Sequence, residues 1–199
     1  YSSLLQATAE ACEEVLAAFG DPAQGKAPQK VNEFSDNFGL VMAKFKGPSL
    51  LANEKLKANI NKFLIHLKQT QKDKFDQCAR QLYQSISKDK DVISELDAEK
   101  ISGLFDNLSE DDFARLLLSE ISSEENFDAL SFQFFSRIAG EKRSPGIASK
   151  LAGETAAKDS LRHNPKAEKN LKSLLSSPNQ TSVSDVYRNT LSELLKNIS

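Results

Sequence analysis

The segment LDAEKISGLFDNLSEDDFARLL (residues 96–117) carries one residue pattern twice, and this pattern indicates how the chain folds. Asp97 and Ser109 both suit a helix N-cap, because a side-chain oxygen there accepts a hydrogen bond from a free N–H of the first turn. Large apolar residues stand 4, 7 and 8 positions after each cap: Ile101, Leu104 and Phe105 after the first, Phe113, Leu116 and Leu117 after the second. The segment therefore predicts two short helices with equivalent apolar faces, joined by a tight turn.

Helical spacing of apolar residues is present through most of the chain. Three apolar stripes lie between residue 26 and the repeated pattern: Val31, Phe34, Phe38, Met42 and Phe45; Leu56, Ile60, Phe63, Leu64 and Leu67; and Phe75, Cys78, Ala79, Leu82 and Ile86. No segment of the sequence alternates apolar and polar residues for long enough to form a convincing strand. The sequence therefore predicts an all-α protein of about ten helices.

A longer spacing follows the repeated pattern. Ser123, Ser144 and Asn164 stand 21 and 20 residues apart, and each is a plausible helix start. Pro145 and Pro165 come directly after two of them, and proline suits the first helical position because no N–H partner is needed there. Two helices then occupy about 40 residues, which is the length of a HEAT-type helix pair.

On this spacing, residues 90–199 resemble a HEAT-like α-solenoid. The short helices of residues 96–122, with the sequence LSEDDFARLL, are also similar to the superhelical N-terminal domain of bacterial magnesium transporters and the middle domain of flagellar motor-switch proteins. The resemblance implies a right-handed superhelix, with an irregular helical bundle as the alternative. We predict one all-helical domain over residues 1–199, or two halves: a long-helix bundle over 1–88 and a HEAT-like part over 89–199.

Composition limits the class of protein. The chain has 26 basic and 28 acidic residues and a formal net charge of −2, so it shows no general preference for polyanions. Cys12 and Cys78 are isolated, which predicts neither a zinc site nor a disulfide framework and fits a reducing compartment. No apolar run approaches about 18 residues, so we predict a cytoplasmic protein without membrane insertion. Because the sequence begins at Tyr1 rather than methionine, we expect a piece of a longer protein.

Catalytic motifs are not found in the sequence. It contains no H-E-x-x-H, G-x-x-x-x-G-K-[ST], G-x-G-x-x-G or G-x-S-x-G motif. His66 and His163 are far apart in sequence, and each is better explained as a helix-flank or loop residue than as a metal ligand. The acidic run at 110–112 lies in the first turn of a predicted helix, where the helix dipole favours negative charge. We predict no enzyme activity, no cofactor, no metal and no small-molecule substrate.

Charge is distributed unevenly along the chain. Residues 1–25 carry −4, residues 26–90 carry +7, residues 91–141 carry −10 and residues 142–199 carry +5. The predicted partner-binding residues are five lysines beside or beyond the second apolar stripe: Lys55, Lys57, Lys62, Lys68 and Lys72. The alternatives are a solvated helix face, packing of a basic segment against an acidic one within the chain, and head-to-tail association of chains.

Protein–protein interaction is the function that these features favour. A helical, partly repetitive chain without catalytic motifs is typical of a scaffold, because stacked helices present a row of equivalent grooves to a partner. A regulatory or sensory domain attached to a signalling or transport protein is the first alternative. Nucleic-acid binding through the lysine-rich residues 44–90 is the second. It is disfavoured because Arg80 is the single arginine of residues 26–90 and no aromatic residues alternate with the lysines.

The same stripes predict the core. The residues that we expect to be most completely buried are Phe63, Phe75, Phe113, Phe127 and Leu191. Residues 127–135 contain four phenylalanines, which are too many for one narrow helix stripe. We interpret this segment as a buried helix in contact with a second layer, with a binding surface for another domain or a ligand as the alternative.

Overall fold

The computed structural model describes residues 27–42, 54–94, 100–153, 161–176 and 185–198, and every regular element in these ranges is helical. They contain eight α-helices: α1 Ala27–Met42, α2 Glu54–Thr70, α3 Lys72–Ser87, α4 Glu110–Ser123, α5 Ala129–Ala139, α6 Ser144–Gly153, α7 Pro165–Leu175 and α8 Asp185–Ile198. Short 3-10 turns lie at Lys90–Val92, Gly103–Phe105 and Glu141–Arg143. The all-α prediction is confirmed for these ranges. No described helix is long and apolar enough to cross a membrane.

The chain divides into two compact units, unit 1 at Tyr1–Asn107 and unit 2 at Leu108–Ser199. The division falls inside the repeated segment, whereas the two-halves prediction placed it between residues 88 and 89. Unit 1 has 14 basic and 15 acidic residues and unit 2 has 12 and 13, a formal charge of −1 each. The strongly charged segments of the sequence are therefore balanced within each unit.

Unit 1 is built around α3, which contacts both α1 and α2. The apolar stripe of α3 is no more than 4% exposed at any position: Phe75, Cys78, Ala79, Leu82 and Ile86. Phe38 of α1 stacks on Phe63 of α2 with 5.8 Å between ring centroids, and Phe34 meets Phe63 edge-on at 4.8 Å. Gln71 alone separates α2 from α3, so these two helices form an antiparallel hairpin.

In unit 2, α4 packs against α6 and α7, and α8 packs against the same two helices. The four phenylalanines of residues 127–135 are all buried, at 5% exposure or less. They reach two different neighbours, since Phe135 lies 6.2 Å from Phe113 of α4 and Phe132 lies 5.0 Å from Tyr187 of α8, measured between ring centroids. The interpretation as a buried helix with a second layer is confirmed for Phe132, Phe134 and Phe135, whereas Phe127 is buried in the connection before α5.

The two copies of the repeated pattern bury the same positions: Ile101, Leu104 and Phe105 in the first, Phe113, Leu116 and Leu117 in the second. Residues 100–102 are helical and pass directly into the 3-10 turn at Gly103–Phe105, whereas the second copy begins the 14-residue helix α4. Gly103 occupies the place that Arg115 takes in the second copy, and glycine in a helix costs about 1 kcal/mol relative to alanine. The equivalent apolar faces predicted for the two copies are confirmed at these positions.

Several predicted helix starts can be compared with the structure. Ser109 caps α4 as predicted, because its hydroxyl accepts a hydrogen bond from the Asp112 N–H at 3.2 Å and the Asp112 carboxylate accepts one from the Ser109 N–H at 2.9 Å. Ser144 is the first residue of α6, and Asn164 caps α7 with Pro165 at the first position. Asp97 lies outside the described residues.

The predicted helix start at Ser123 is wrong. Ser123 is the last residue of α4, and α5 begins after Asp128, whose carboxylate accepts a hydrogen bond from the Ser131 N–H at 2.9 Å. The buried residues of α4 continue to Ile121, so packing of the apolar face stabilises this helix up to Ser123. A cap residue thus marks a helix start only where the preceding helix has already ended.

The five residues predicted as core are all buried: Phe63, Phe75, Phe113, Phe127 and Leu191. That prediction is confirmed. The side chains of Val31, Phe45 and Leu56, which belong to the predicted stripes, lie outside the described part of the chain, and so does Cys12.

Candidate functional site

The lysines predicted to bind a partner do not share one surface. Lys57 and Lys68 are eleven residues apart, about three turns, so they lie on the same flank of α2. Lys62 is exposed and is rotated from Lys57 by about 140° around the helix axis. Lys72 belongs to α3. The side chain of Lys55 lies outside the described part of the chain.

Three of these lysines lie close to other groups of unit 1: Lys57 to Glu54 at 2.7 Å, Lys68 to the Asn107 carbonyl at 2.6 Å and Lys72 to Asp76 at 3.5 Å. The Lys72 ammonium also lies 4.4 Å from the centre of the Phe75 ring. Such exposed or half-exposed pairs contribute about 0–1 kcal/mol each. A role of the lysines in binding stays a prediction, and it applies to a dispersed set rather than to one patch.

A groove of about 350 Å³ runs between α1 and α3. Its lining comes from both helices: Asp36, Gly39 and Leu40 from α1, and Gln81, Gln84, Ser85 and Lys88 from α3 and the residue that follows it. Leu40 is 68% exposed, the largest value among the bulky apolar side chains of the described residues. The groove therefore combines one open apolar side chain with amide, hydroxyl and charged groups.

The two helices that form this groove run parallel. The Cys78 thiol of α3 donates to the Ser35 carbonyl of α1 at 3.7 Å, and four residues further along α1 the backbone of Gly39 lies against Gln81. From the first contact to the second, the residue numbers increase by four on α1 and by three on α3. The two helices therefore run in the same direction. Because α2 returns the chain between them, α1 and α3 can lie side by side with the same polarity.

Gly39 fixes how closely α3 side chains approach α1. A Cβ atom at this position would lie 2.6 Å from Gln81 Nε2, so a larger residue forces the glutamine to move. The other amide atom, Gln81 Oε1, is buried without a hydrogen-bond donor. A buried acceptor without a donor costs about 1–3 kcal/mol. Gln81 therefore combines a close contact with Gly39 and a buried acceptor in one side chain at the groove.

The sequence carried a signal for this groove that the search for motifs missed. Gly39 stands on the polar side of a helical stripe, where it lowers helix stability by about 1 kcal/mol relative to alanine. A glycine inside a helix indicates a close approach of a neighbouring group. The group that approaches Gly39 is the side chain of Gln81, 42 positions further along the chain. Helical periodicity does not predict this contact.

Two titratable side chains in the described part of unit 1 have pKa values shifted by burial. Burial raises the pKa of the Cys78 thiol to about 12, so the nucleophilic thiolate is suppressed at neutral pH. Partial burial lowers the pKa of His66, which lies half-buried on α2. No group of three or more His, Cys, Asp or Glu in the described ranges could hold a metal ion.

In unit 2, acidic and basic side chains contact each other. Lys166 lies 2.8 Å from Glu125, Lys150 lies 3.9 Å from Asp111, and Arg115 pairs with the buried Asp112. The first two pairs join the acidic segment 91–141 to the basic segment 142–199. His163 is exposed in a turn with φ of 63°, as its prediction as a loop residue requires.

Comparison with known proteins does not identify the groove. No family model matches the chain, and neither a curated protein nor a solved structure is significantly similar to it. The HEAT-like arrangement stays a prediction. The groove and its lining are therefore the basis on which a function is proposed.

Proposed function

We propose that this chain is a non-catalytic protein-interaction module, and that it binds its partner through the groove between α1 and α3. The observation that carries the proposal is Leu40, a bulky apolar side chain that is 68% exposed at a concave surface of about 350 Å³. Burial of this side chain by a partner removes its apolar surface from water, which contributes about 25 cal/mol per Å² to binding.

The polar residues that line the groove orient the bound partner. Gln81 and Gln84 line the groove with amide groups that hydrogen-bond a partner, and the Ser85 hydroxyl, which donates to the Leu82 carbonyl at 2.8 Å, keeps a lone pair that accepts one. Gly39 keeps the floor of the groove free of a side chain. A protein segment with an apolar side chain between polar ones fits this lining better than a wholly apolar ligand does.

The lysines of α2 have a secondary role in this proposal. Exposed charges act chiefly on the association rate and are screened beyond about 8–10 Å at physiological ionic strength. Reversal of Lys55, Lys57 and Lys62 to Glu should therefore slow association with the partner while the melting temperature changes little. Unchanged association kinetics would assign these lysines to a solvated helix face.

Site-specific photo-crosslinking tests the groove even while the partner is unidentified. A photoreactive residue replaces Leu40 in one chain and Leu130 in another, because Leu130 is also half-exposed but belongs to unit 2. We expect a discrete adduct from position 40 and none from position 130 when the chains are expressed in their source cells.

A second substitution separates groove binding from chance proximity. Gly39→Ala displaces Gln81 and should reduce the position-40 adduct, whereas Gly103→Ala, which meets no atom within 4 Å, should leave it unchanged. Equal adducts from positions 40 and 130, or a position-40 adduct insensitive to Gly39→Ala, would contradict the proposal.

A further inference from the structure

The charges of the α1–α3 groove are arranged about Leu40. Asp36 lies three residues before Gly39, about 4.5 Å towards one end, and Lys88 lies seven residues after Gln81, about 10 Å towards the other. Gly39 and Gln81 lie at the same height along the two parallel helices. Measured along the helix axis, the midpoint between Asp36 and Lys88 therefore lies about 3 Å past Gly39, on the side of Lys88. Leu40 is within about 2 Å of that midpoint. The groove therefore has Asp36 at one end, Leu40 in the middle and Lys88 at the other end; Asp36 and Lys88 both also interact with their own chain.

This order of charges is complementary to itself. A two-fold rotation about an axis through the Leu40 level reverses the groove, so the Asp36 end of one copy faces the Lys88 end of the other. Two such charge pairs form at once, and the two Leu40 side chains meet at the axis. An isologous interface of this kind uses the same residues on both subunits.

From this arrangement we infer that the groove binds a second copy of the chain, as an antiparallel two-fold dimer in which α1 of each copy lies along the groove of the other. The inference rests on the proposed function and names the partner of the same surface. Asp36 already lies 3.7 Å from Lys74 of its own chain, but its carboxylate is 71% exposed and open to a second cation. Contacts limited to one face of two helices belong to the small end of protein interfaces, so the dimer is weak and depends on concentration.

Sedimentation equilibrium of the full chain over a range of concentrations tests this dimer. The wild-type chain should show a monomer–dimer equilibrium, and Leu40→Lys should shift it to monomer by at least tenfold in the dissociation constant. Leu130→Lys, an exposed leucine of unit 2, is the matched control and should leave the constant unchanged. Thermal unfolding followed by circular dichroism verifies that each variant is folded.

Charge exchange gives the sharper test, because it predicts both a loss and a recovery. Asp36→Lys and Lys88→Asp should each weaken association when alone, since every pair across the two-fold axis then has like charges. An equimolar mixture of the two variants should recover it, because both pairs in the mixed dimer again have opposite charges. Wild-type sedimentation as a monomer at all concentrations, or failure of the mixture to recover the dimer, would overturn the inference.

The two proposals fail separately. If position 40 crosslinks to a different protein while the wild-type chain sediments as a monomer, the dimer is excluded and the interaction module stands. If position 40 gives no adduct and the chain is a monomer, both are excluded. An adduct with twice the mass of the chain, lost in Asp36→Lys and recovered in the mixture, supports both.

Discussion

Unit 1 and unit 2 are similar in size and formal charge, but different contacts hold their helices together. In unit 1, α1 and α2 meet through the rings of Phe34, Phe38 and Phe63, and both pack on the apolar stripe of α3. In unit 2, apolar packing is joined by polar side chains of α7 that reach more than forty residues back along the chain, to the end of α4 and the connection before α5.

The polar contact of unit 2 centres on Asn170, which is 1% exposed. Its Nδ2 donates to the carbonyls of Ile121 at 2.9 Å and Glu124 at 2.8 Å, and its Oδ1 accepts from the Phe127 N–H at 3.0 Å. We call this set the Asn170 latch. It satisfies carbonyls at the end of α4 that have no partner within that helix.

The difference concerns where the polar side chains of each unit are used. In unit 2, Asn164, which caps α7, donates to the Ser122 carbonyl at 3.2 Å, and Lys169 of α7 donates to the Glu125 carbonyl at 3.1 Å. In unit 1, polar residues of α1 and α3 line an open groove, and some of them also contact their own chain, since Asp36 lies 3.7 Å from Lys74 and the Ser85 hydroxyl donates to the Leu82 carbonyl at 2.8 Å. The open groove with the exposed Leu40 is the reason that we propose the binding surface in unit 1.

The largest expected effect concerns the apolar contacts that both units share. Phe63→Ala in unit 1 and Phe113→Ala in unit 2 should each lower the free energy of unfolding by about 3–5 kcal/mol, because each removes a fully buried ring. Chemical denaturation measures the change. Leu40→Ala is the control, and its exposed side chain should change the free energy by no more than about 0.5 kcal/mol. A loss below about 1 kcal/mol at Phe113 would show that packing is not what holds α4 in unit 2.

Removal of the Asn170 latch should have the next largest effect. Asn170→Ala leaves the Phe127 N–H and two carbonyls without their partner, and buried groups of this kind cost about 1–3 kcal/mol each. Because water can reach part of the connection after the change, we expect a net loss of about 2–4 kcal/mol in denaturation experiments. The control is Asn37→Ala, since the exposed Asn37 amide bonds only the Glu33 carbonyl of its own helix, at 2.9 Å. Equal losses in the two variants would remove the distinction between the units.

Much of unit 1 could be predicted from the sequence, because its contacts follow helical periodicity. Phe38, Phe63 and Phe75 each stand in a five-residue stripe with helical spacing, and such a stripe is buried whichever element packs against it. Ser109 could also be predicted, since a capping box acts within four residues.

The Asn170 latch and the groove could not be predicted in this way. Asn170 stands in a helix as an ordinary polar residue, and its role depends on a connection 43 to 49 residues earlier in the chain. The groove depends in the same way on Gly39 and Gln81, which belong to different helices. The helix start predicted at Ser123 is wrong for a related reason: its local sequence resembles a cap, but the packing of α4 extends beyond it.

High pH should weaken unit 1 through Cys78. Its folded pKa of about 12 lies above the ordinary value of 9.0, so the neutral thiol is favoured in the folded state. The stabilisation is complete below the ordinary pKa and is lost as pH rises towards the folded pKa. At 1.36 kcal/mol per pH unit, wild type should lose about 2 kcal/mol more than Cys78→Ala between about pH 9 and pH 10.5. Identical pH profiles would show that the thiol is not buried as described.

Burial also raises the pKa of Tyr187 in unit 2, so the stability of Cys78→Ala should still decrease somewhat at alkaline pH.

The smallest effect concerns an exposed ion pair of unit 2. The hydrogen bond from Lys166 holds the pKa of Glu125 below its ordinary value. The pair therefore stabilises unit 2 above the ordinary carboxylate pKa, and this contribution is lost as pH falls through the lowered one. Titration of Glu125 by nuclear magnetic resonance should show its pKa rising in Lys166→Gln. Lys172→Gln, whose lysine pairs with Glu168 at 2.8 Å, should leave it unchanged, and a rise in both variants would contradict a specific pair.

The most direct test of unit 1 as the binding surface is a series of backbone amide spectra of the full chain at increasing concentration. Amides that line the groove, at residues 36–40 and 81–88, should shift progressively, and the shifts should vanish in Leu40→Lys. Amides of α4 to α8 in unit 2 should stay in place, because these helices do not line the groove. Spectra unchanged at every concentration would contradict the dimer, and shifts confined to unit 2 would contradict the binding surface that we derive from the groove.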